Sequence, residues 1–212
     1  LGTAAMEATL KKSDFVEELV EFDAAISASL GCSGDHPLSR ETLRKSLRFD
    51  KHLVDGESVT IDEDIIVRCV ASPGHREHSL SYLVQPHGFL IADETLGYYH
   101  GRRLSGPGAD FSLGSSLESI QRFKDLELSG IGFSYCGCIT GDLVRKHIEA
   151  IVQNTNDLLS EAKRARSQGI SDDEVQAQIR EAFYVPALPD PCLMRSLEQS
   201  FEAVWKQVIA VS

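Results

Sequence analysis

The sequence predicts an α/β fold with a helical C-terminal extension. Three observations support this class: apolar residues recur at helical spacing over residues 6–30, alternate with polar residues between 57 and 93, and return to helical spacing after 141. The 212 residues are 42% hydrophobic and 25% charged, which is an ordinary globular composition. The chain is long enough for one sizeable core or for a core with a helical annex.

The first half of the chain is predicted to change from helices to strands. Residues 6–30 read as a helix, with Ser13-Asp14 as an N-cap signal and Gly31 as its end. A short basic helix follows from Glu41 to Leu47. Alternating apolar residues between turns then predict a β-meander of four strands, near residues 57–61, 64–71, 79–85 and 88–93.

The middle of the chain is predicted as a loop, a helix and a strand. Residues 97–114 contain five glycines and one proline, so they form a loop. Ser115-Ser116 caps a helix that runs through Leu126, and residues 131–135 form another short strand. These elements complete the predicted α/β domain.

The end of the chain is predicted to be helical. One long amphipathic helix spans Asp142 to Gln168, and Ser171-Asp-Asp-Glu174 is a capping box that opens the next helix. A last helix surrounds Trp205. We therefore expect an α/β domain over residues 1–141 and a helical extension over residues 142–212.

Charge and cysteine content favour a cytoplasmic protein without a nucleic-acid or membrane partner. The 32 acidic and 21 basic side chains give a net charge of −11, which repels phosphate backbones and anionic lipid, so we expect no nucleic-acid or membrane partner. Five widely spread cysteines favour reduced thiols. The first residues have no apolar signal-peptide segment, and because residue 1 is Leu we expect a processed, trimmed or incomplete chain.

Two neighbouring strand ends carry the residues with the clearest chemical potential. Ser72-Pro-Gly-His75 follows one predicted strand, and the next hairpin ends in Asp93. The imidazole and the carboxylate are therefore expected at the same edge of the sheet, with Glu94 as the alternative acid if the turn is shifted. These ligands suit a divalent transition metal, with Zn²⁺ as the first choice and Fe²⁺ or Mn²⁺ as alternatives.

This stretch resembles the second half of the metallo-β-lactamase fold. The segments that match in order and spacing are Val54-Asp-Gly-Glu57, Ser72-Pro-Gly-His75, Ser79 to Val84 and Leu90 to Gly97. The helix near Ser116 and residues 131–141 also fit the family pattern. The resemblance covers roughly residues 1–183. It implies an αββα sandwich, of which this chain represents the second half, followed by appended C-terminal helices.

The resemblance also implies an activity and a set of site residues. It implies a hydrolase in which a metal-bound hydroxide attacks an ester, thioester or lactone-like bond. His75 and Asp93 would be metal ligands, and Cys136 occupies the turn where the family has a histidine; Cys136 is either a thiolate ligand or a small buried hydrophobe. Three side chains at the rim are candidates for substrate contacts: His78, Tyr98 and Tyr99.

One part of the family pattern is missing. The His-x-His-x-Asp-His cluster does not occur in these residues, so the chain offers at most three ligands. Either the first motif lies on polypeptide absent from this chain, an N-terminal half or a partner chain, or the site is degenerate and the protein is an interaction or regulatory module. A homodimer is a further expectation.

Overall fold

The structure is a computed structural model, in which the chain forms two compact units. It describes residues 2–29, 39–97, 106–134, 137–183 and 201–210. The units are Leu1–Val54 and Asp55–Ser212. The domain boundary predicted after residue 141 falls inside the second unit.

The first unit is helical in its described part. Its helices are α1 (Ala4–Leu10), α2 (Ser13–Ser29) and α3 (Arg40–Ser46). The single helix predicted over residues 6–30 is therefore wrong in one respect, because a turn at Lys11–Lys12 divides it. The backbone N–H of Lys12 donates to the carbonyl of Thr9, and this tight turn ends α1. The Ser13-Asp14 cap signal thus marks the start of the second helix.

Glu7 connects α1 to the end of this unit. Its carboxylate pairs with Lys11, lies 2.5 Å from Nε2 of His52 and accepts the backbone N–H of Phe49 at 3.2 Å. The hydrogen bonds from Lys11, His52 and Phe49, in that order of size, lower the pKa of Glu7 to about 2. The carboxylate therefore stays ionised at neutral pH.

In the second unit, the described residues contain a six-stranded sheet whose strands lie in chain order. The strands are β1 (Ser58–Asp62), β2 (Ile65–Ala71), β3 (Leu80–Gln85), β4 (Phe89–Ile91), β5 (Gly130–Gly132) and β6 (Cys138–Thr140). Neighbouring strands are antiparallel except β4 and β5, which are parallel. The four-stranded meander is confirmed. Strand β5 overlaps the strand predicted over residues 131–135, whereas β6 was not predicted.

Helices follow the meander as predicted. They are α4 (Leu113–Lys124), α5 (Asp142–Ser167), α6 (Asp172–Phe183) and α7 (residues 201–210). The cap of α4 is Ser112 rather than Ser115-Ser116, since the Ser112 hydroxyl accepts the N–H of Ser115 at 3.1 Å. The capping box of α6 is confirmed, because the Glu174 carboxylate accepts the backbone N–H of Ser171 at 3.3 Å and the Ser171 hydroxyl accepts the backbone N–H of Glu174 at 3.4 Å. None of the described helices combines the length and the apolar character that crossing a bilayer requires.

One face of the sheet packs against α4 and α5. Cross-strand pairing places a row of apolar residues on this face: Leu83, Leu90, Ile131 and Ile139. Helix residues complete the core: Ile120, Phe123, Val144, Ile148 and Ile151. Because side chains alternate along a strand, Tyr82 and Ile91 lie on the opposite face, where Ile91 is 50% exposed.

A second apolar cluster joins the C-terminal helices. It contains Leu158, Ala162 and Ala165 of α5, Val175 of α6, and Val204, Trp205 and Val208 of α7, together with Ala109 and Leu113. Trp205 is only 5% exposed, so it is a core residue. Helix α5 belongs to both apolar cores, because its first half packs on the sheet and its second half packs in this C-terminal cluster.

The buried face of α5 includes a histidine and leaves out one of the helix's leucines. His147 is 2% exposed, whereas Leu143 is 45% exposed. Nε2 of His147 lies 3.0 Å from the carbonyl oxygen of Leu96, and its ring packs edge-on against Phe133 at a centroid distance of 4.8 Å. Because burial outweighs the hydrogen bond to Leu96, the pKa of His147 is lowered.

Two substitutions on α5 test this packing. Ile148→Ala removes a side chain that is 3% exposed and should lower the free energy of unfolding by about 2–5 kcal/mol. Leu143→Ala is the matched control and should cost about 1 kcal/mol or less. Urea unfolding followed by the fluorescence of Trp205, the single tryptophan, measures both. Equal losses for the two variants would contradict the observed packing.

The lowered pKa of His147 predicts a pH dependence. The unfolded chain binds a proton at this residue as the pH falls through the usual value of 6.5, while the folded chain resists protonation. His147 therefore removes stability as the pH falls below 6.5. The loss of unfolding free energy between about pH 7 and pH 5 should be smaller in His147→Gln than in the wild type. Parallel pH profiles for the two proteins would refute this assignment.

Candidate functional site

The turn that carries His75 is held directly against α4. Gly74 has a φ of +155°, and a Cβ at this position would lie 2.2 Å from Oγ of Ser116 and 2.7 Å from its Cα. A side chain is therefore excluded by both conformation and space. The Ser119 hydroxyl donates to the carbonyl of Pro73 at 2.7 Å. Helix α4 thus fixes the backbone that leads into His75.

The segment before α4 holds the same turn from a second direction. The backbone N–H groups of Phe111 and Ser112 donate to the carbonyl of Gly74 at 3.0 and 3.1 Å. The N–H of Phe111 also lies 3.2 Å from the carbonyl of His75. These bonds bring Asp110, which the sequence did not identify as a site residue, next to the imidazole.

Asp93 follows β4 and is anchored by side-chain hydroxyls. Its Oδ1 accepts the Ser81 hydroxyl at 3.1 Å, and its Oδ2 lies 2.8 Å from the Thr95 hydroxyl. The Ser81 oxygen also accepts the backbone N–H of Asp93 at 3.1 Å and lies 3.0 Å from Oγ of Ser72. Ser72, Ser81 and Thr95 are all fully buried. This network fixes the orientation of the carboxylate.

The Thr95 hydroxyl connects the two strand ends. It lies 2.9 Å from the carbonyl of Ser72 and 2.8 Å from Oδ2 of Asp93, and it accepts the backbone N–H of His75 at 3.3 Å. A hydroxyl has one proton, so its donation is shared between two acceptors. One buried side chain therefore joins the segment after β2 to the segment after β4.

The imidazole of His75 lies between two carboxylates. Its Nε2 is 3.4 Å from Oε2 of Glu94, and its Nδ1 is 3.7 Å from Oδ1 of Asp110, which is an ion-pair distance rather than a hydrogen bond. The side chain is 15% exposed. Burial lowers the pKa of His75, but Asp110 and Glu94 together raise it by more, so the net pKa is raised. The two carboxylates favour a positive charge at this position.

The predicted site residues differ in where they lie. His75 and Asp93 follow strands at one edge of the sheet and share the Thr95 hydroxyl as a hydrogen-bonding neighbour. The side chain of His78 is 39% exposed, with Nε2 3.6 Å from Glu77. Three of the predicted residues lie outside the described part of the chain: Tyr98, Tyr99 and Cys136.

The metal-ligand set stays a prediction. Within the described ranges, no group of three or more His, Cys, Asp or Glu side chains is placed to hold a metal ion. Cys138 is exposed. It lies on β6, the last strand of the sheet order, and is adjacent in sequence to Ile139, which points into the core.

Comparison with known proteins identifies the fold. No protein-family model matches the sequence, and no curated protein is significantly similar to it. A metallo-β-lactamase superfamily protein from the archaeon Sulfolobus tokodaii matches with a TM-score of 0.55 and 16% identity, over 98% of this chain and 68% of that chain. A metallo-β-lactamase family protein from Thermus thermophilus has a TM-score of 0.51 and 20% identity, over 78% and 56% of the two chains.

A third solved structure agrees with the first two. A β-lactamase domain protein from Burkholderia ambifaria has a TM-score of 0.55 and 17% identity, over 81% of this chain and 51% of that chain. The chain therefore has the metallo-β-lactamase fold, and the predicted α/β class with C-terminal helices is confirmed. It spans about two thirds of the Sulfolobus protein and about half of the other two.

Thr95→Val tests the connection between the two strand ends. The substitution keeps the shape of the side chain but leaves the buried carbonyl of Ser72 without its hydroxyl donor, and this should cost about 1–3 kcal/mol of unfolding free energy. Thr60→Val on β1 is the control, because Thr60 is exposed and its replacement should change stability by about 0.5 kcal/mol or less. Urea unfolding measures both variants. A loss for Thr95→Val no larger than that of the control would refute the role of the hydroxyl.

Proposed function

We propose that this chain contributes part of the active site of a metal-dependent hydrolase. The reaction would cleave an ester, thioester or lactone-like bond in a small-molecule substrate. The observation that carries the proposal is that the buried Thr95 hydroxyl holds the backbone of His75 and the carboxylate of Asp93 together at one end of the sheet. The metallo-β-lactamase fold supports the same proposal.

His75 and Asp93 have side chains of the types that bind divalent metals. Imidazole and carboxylate are suitable ligands for Zn²⁺, and Fe²⁺ or Mn²⁺ are the alternatives. The carboxylate of Asp93 has hydroxyl neighbours from Ser81 and Thr95, which is the kind of outer contact that orients ligating carboxylates. In number the described residues fall short of three ligands. We assign His75 and Asp93 as ligands from the described residues, and we assign Cys136, which lies outside them, as the third ligand.

The bound metal would lower the pKa of a water molecule and polarise the scissile carbonyl group. This chain's own residues would hold and orient the groups around it. Thr95 and Ser81 keep the Asp93 carboxylate in place, and Glu94 lies beside Nε2 of His75. For the substrate, we assign contacts to the rim residues His78, Tyr98 and Tyr99.

We further propose that the remaining ligands come from polypeptide outside this chain. A β-sheet with apolar residues on both faces needs a layer on each face. Here α4 and α5 cover one face, while on the other Cys69 is buried but Ile91 is 50% exposed, so this second face is covered only in part. An N-terminal half of the same fold is the occupant we favour, and a second copy of the chain is the alternative.

Metal content and hydrolysis test this function. In the product of the complete open reading frame, we expect at least one tightly bound transition metal and hydrolysis of generic thioesters. His75→Ala and Asp93→Asn should each lower kcat/KM by at least about 100-fold, because each removes a metal ligand. His87→Ala is the matched control, since His87 is an exposed turn residue between β3 and β4. Absence of metal, or unchanged activity in His75→Ala, would overturn the proposal.

A second candidate is a catalytically inactive interaction or regulatory module. The observation that favours it is the lack of a three-ligand group among the residues that the structure describes. Under this alternative, the complete gene product binds no metal and the two ligand substitutions have no effect on any activity. An upstream His-x-His-x-Asp-His motif in the reading frame would argue against it.

A further inference from the structure

Gln207 of α7 holds both ends of a short segment near His75. Its Oε1 accepts the backbone N–H of Leu113, and its Nε2 donates to the carbonyl of Ala109. Ala109 is fully buried and Leu113 is 5% exposed. Both residues also belong to the apolar cluster that contains Trp205. The segment from Ala109 to Leu113 is therefore attached to α7 by packing and by hydrogen bonds.

The same segment carries the contacts to the His75 turn. Phe111 and Ser112 donate to the carbonyl of Gly74, and Oδ1 of Asp110 lies 3.7 Å from Nδ1 of His75. Gln207 thus fixes a five-residue stretch whose middle contacts both the backbone and the ring of the histidine. No residue of α7 needs to reach the imidazole itself for this effect.

Helix α7 is itself held at its far end. Nη1 of Arg166, on α5, donates to the carbonyl of Ile209 at 2.8 Å, and the same guanidinium pairs with Asp172 of α6 at 3.0 Å. Nε2 of Gln176 also donates to Glu202 at 2.8 Å. The Arg166 contact fixes the end of α7 that carries Gln207, whereas the exposed contact of Gln176 with Glu202 lies near the other end of the helix.

We propose that Asp110 is a positioning residue for the His75 imidazole, and that Gln207 of the C-terminal helix keeps Asp110 in place. The catalytic meaning of this role rests on the proposed hydrolase function, but the structural claim does not. Asp110 restrains the ring from the Nδ1 side, while the turn contacts restrain its backbone. The C-terminal helices therefore set the orientation of a residue that lies far from them in sequence.

Ring mobility in the complete 212-residue chain tests the proposal. The probe is the order parameter of the ¹³Cε1–H group of His75, measured by NMR without added metal or substrate and assigned with His75→Gln. The wild-type ring should be rigid, with an order parameter of about 0.85, and Asp110→Ala and Gln207→Met should reduce it below about 0.6. Asp110→Asn, which keeps the shape and one acceptor oxygen, should restore part of the rigidity.

Matched variants separate positioning from loss of stability. Gln176→Met removes another contact of α7, the one to Glu202, and should leave the His75 ring rigid. If Gln207→Met fails to fold, Gln207→Glu takes its place, because it keeps the acceptor for Leu113 and loses only the donor to Ala109; it should give an intermediate order parameter. An unchanged ring in Asp110→Ala, or equal effects of Gln176→Met and the Gln207 variant, would overturn the proposal.

The result of the ring-mobility test is distinguishable from the result of the test of the proposed function. A ring that loosens as expected in a protein that hydrolyses nothing would support the positioning role and reject the hydrolase. Hydrolysis with a ring that stays rigid in both variants would support the hydrolase and reject the positioning role. If both hold, Asp110→Ala should lower kcat at least about tenfold with little change in KM, because substrate contacts are preserved.

Discussion

The candidate site depends on the burial of one hydroxyl group. The Thr95 side chain lies where the segments after β2 and β4 meet, and it has hydrogen-bonding neighbours in both. Away from water, each of these polar groups needs a partner, so the strand ends cannot separate without leaving a donor or acceptor unsatisfied. The positions of the His75 backbone and the Asp93 carboxylate therefore follow from the same requirement.

The electrostatic character of the site comes from its carboxylates. The His75 ring has Glu94 on one side and Asp110 on the other, and Asp93 lies in the same turn as Glu94. This concentration of negative charge is in keeping with the net charge of −11. It favours a positive charge at the imidazole, whether a proton or a metal cation supplies it.

The sequence predicted elements with strong local patterns and missed those set by tertiary contacts. Alternation over five or more residues was enough to find β1, β2 and β3, whereas the three-residue β6 has no such pattern. The proximity of the segments that carry His75 and Asp93 was predictable, because β2 and β4 both run antiparallel to β3 and therefore end on the same side of the sheet. Asp110 was not, because its position depends on the path of a Gly-rich loop. Gln207 was still less accessible, since its hydrogen-bond partner Leu113 lies 94 residues away.

Helix α5 has a consequence for how this protein can change in length. Its 26 residues run from the sheet core into the cluster of C-terminal helices, so one continuous helix supplies apolar side chains to both cores. Inserting a single residue near its middle would rotate everything beyond it by about 100°. Some side chains that are buried in the second cluster would then face solvent, and some exposed ones would face the cluster. Indels should therefore be tolerated in the turn at Glu63-Asp64 and rejected within α5.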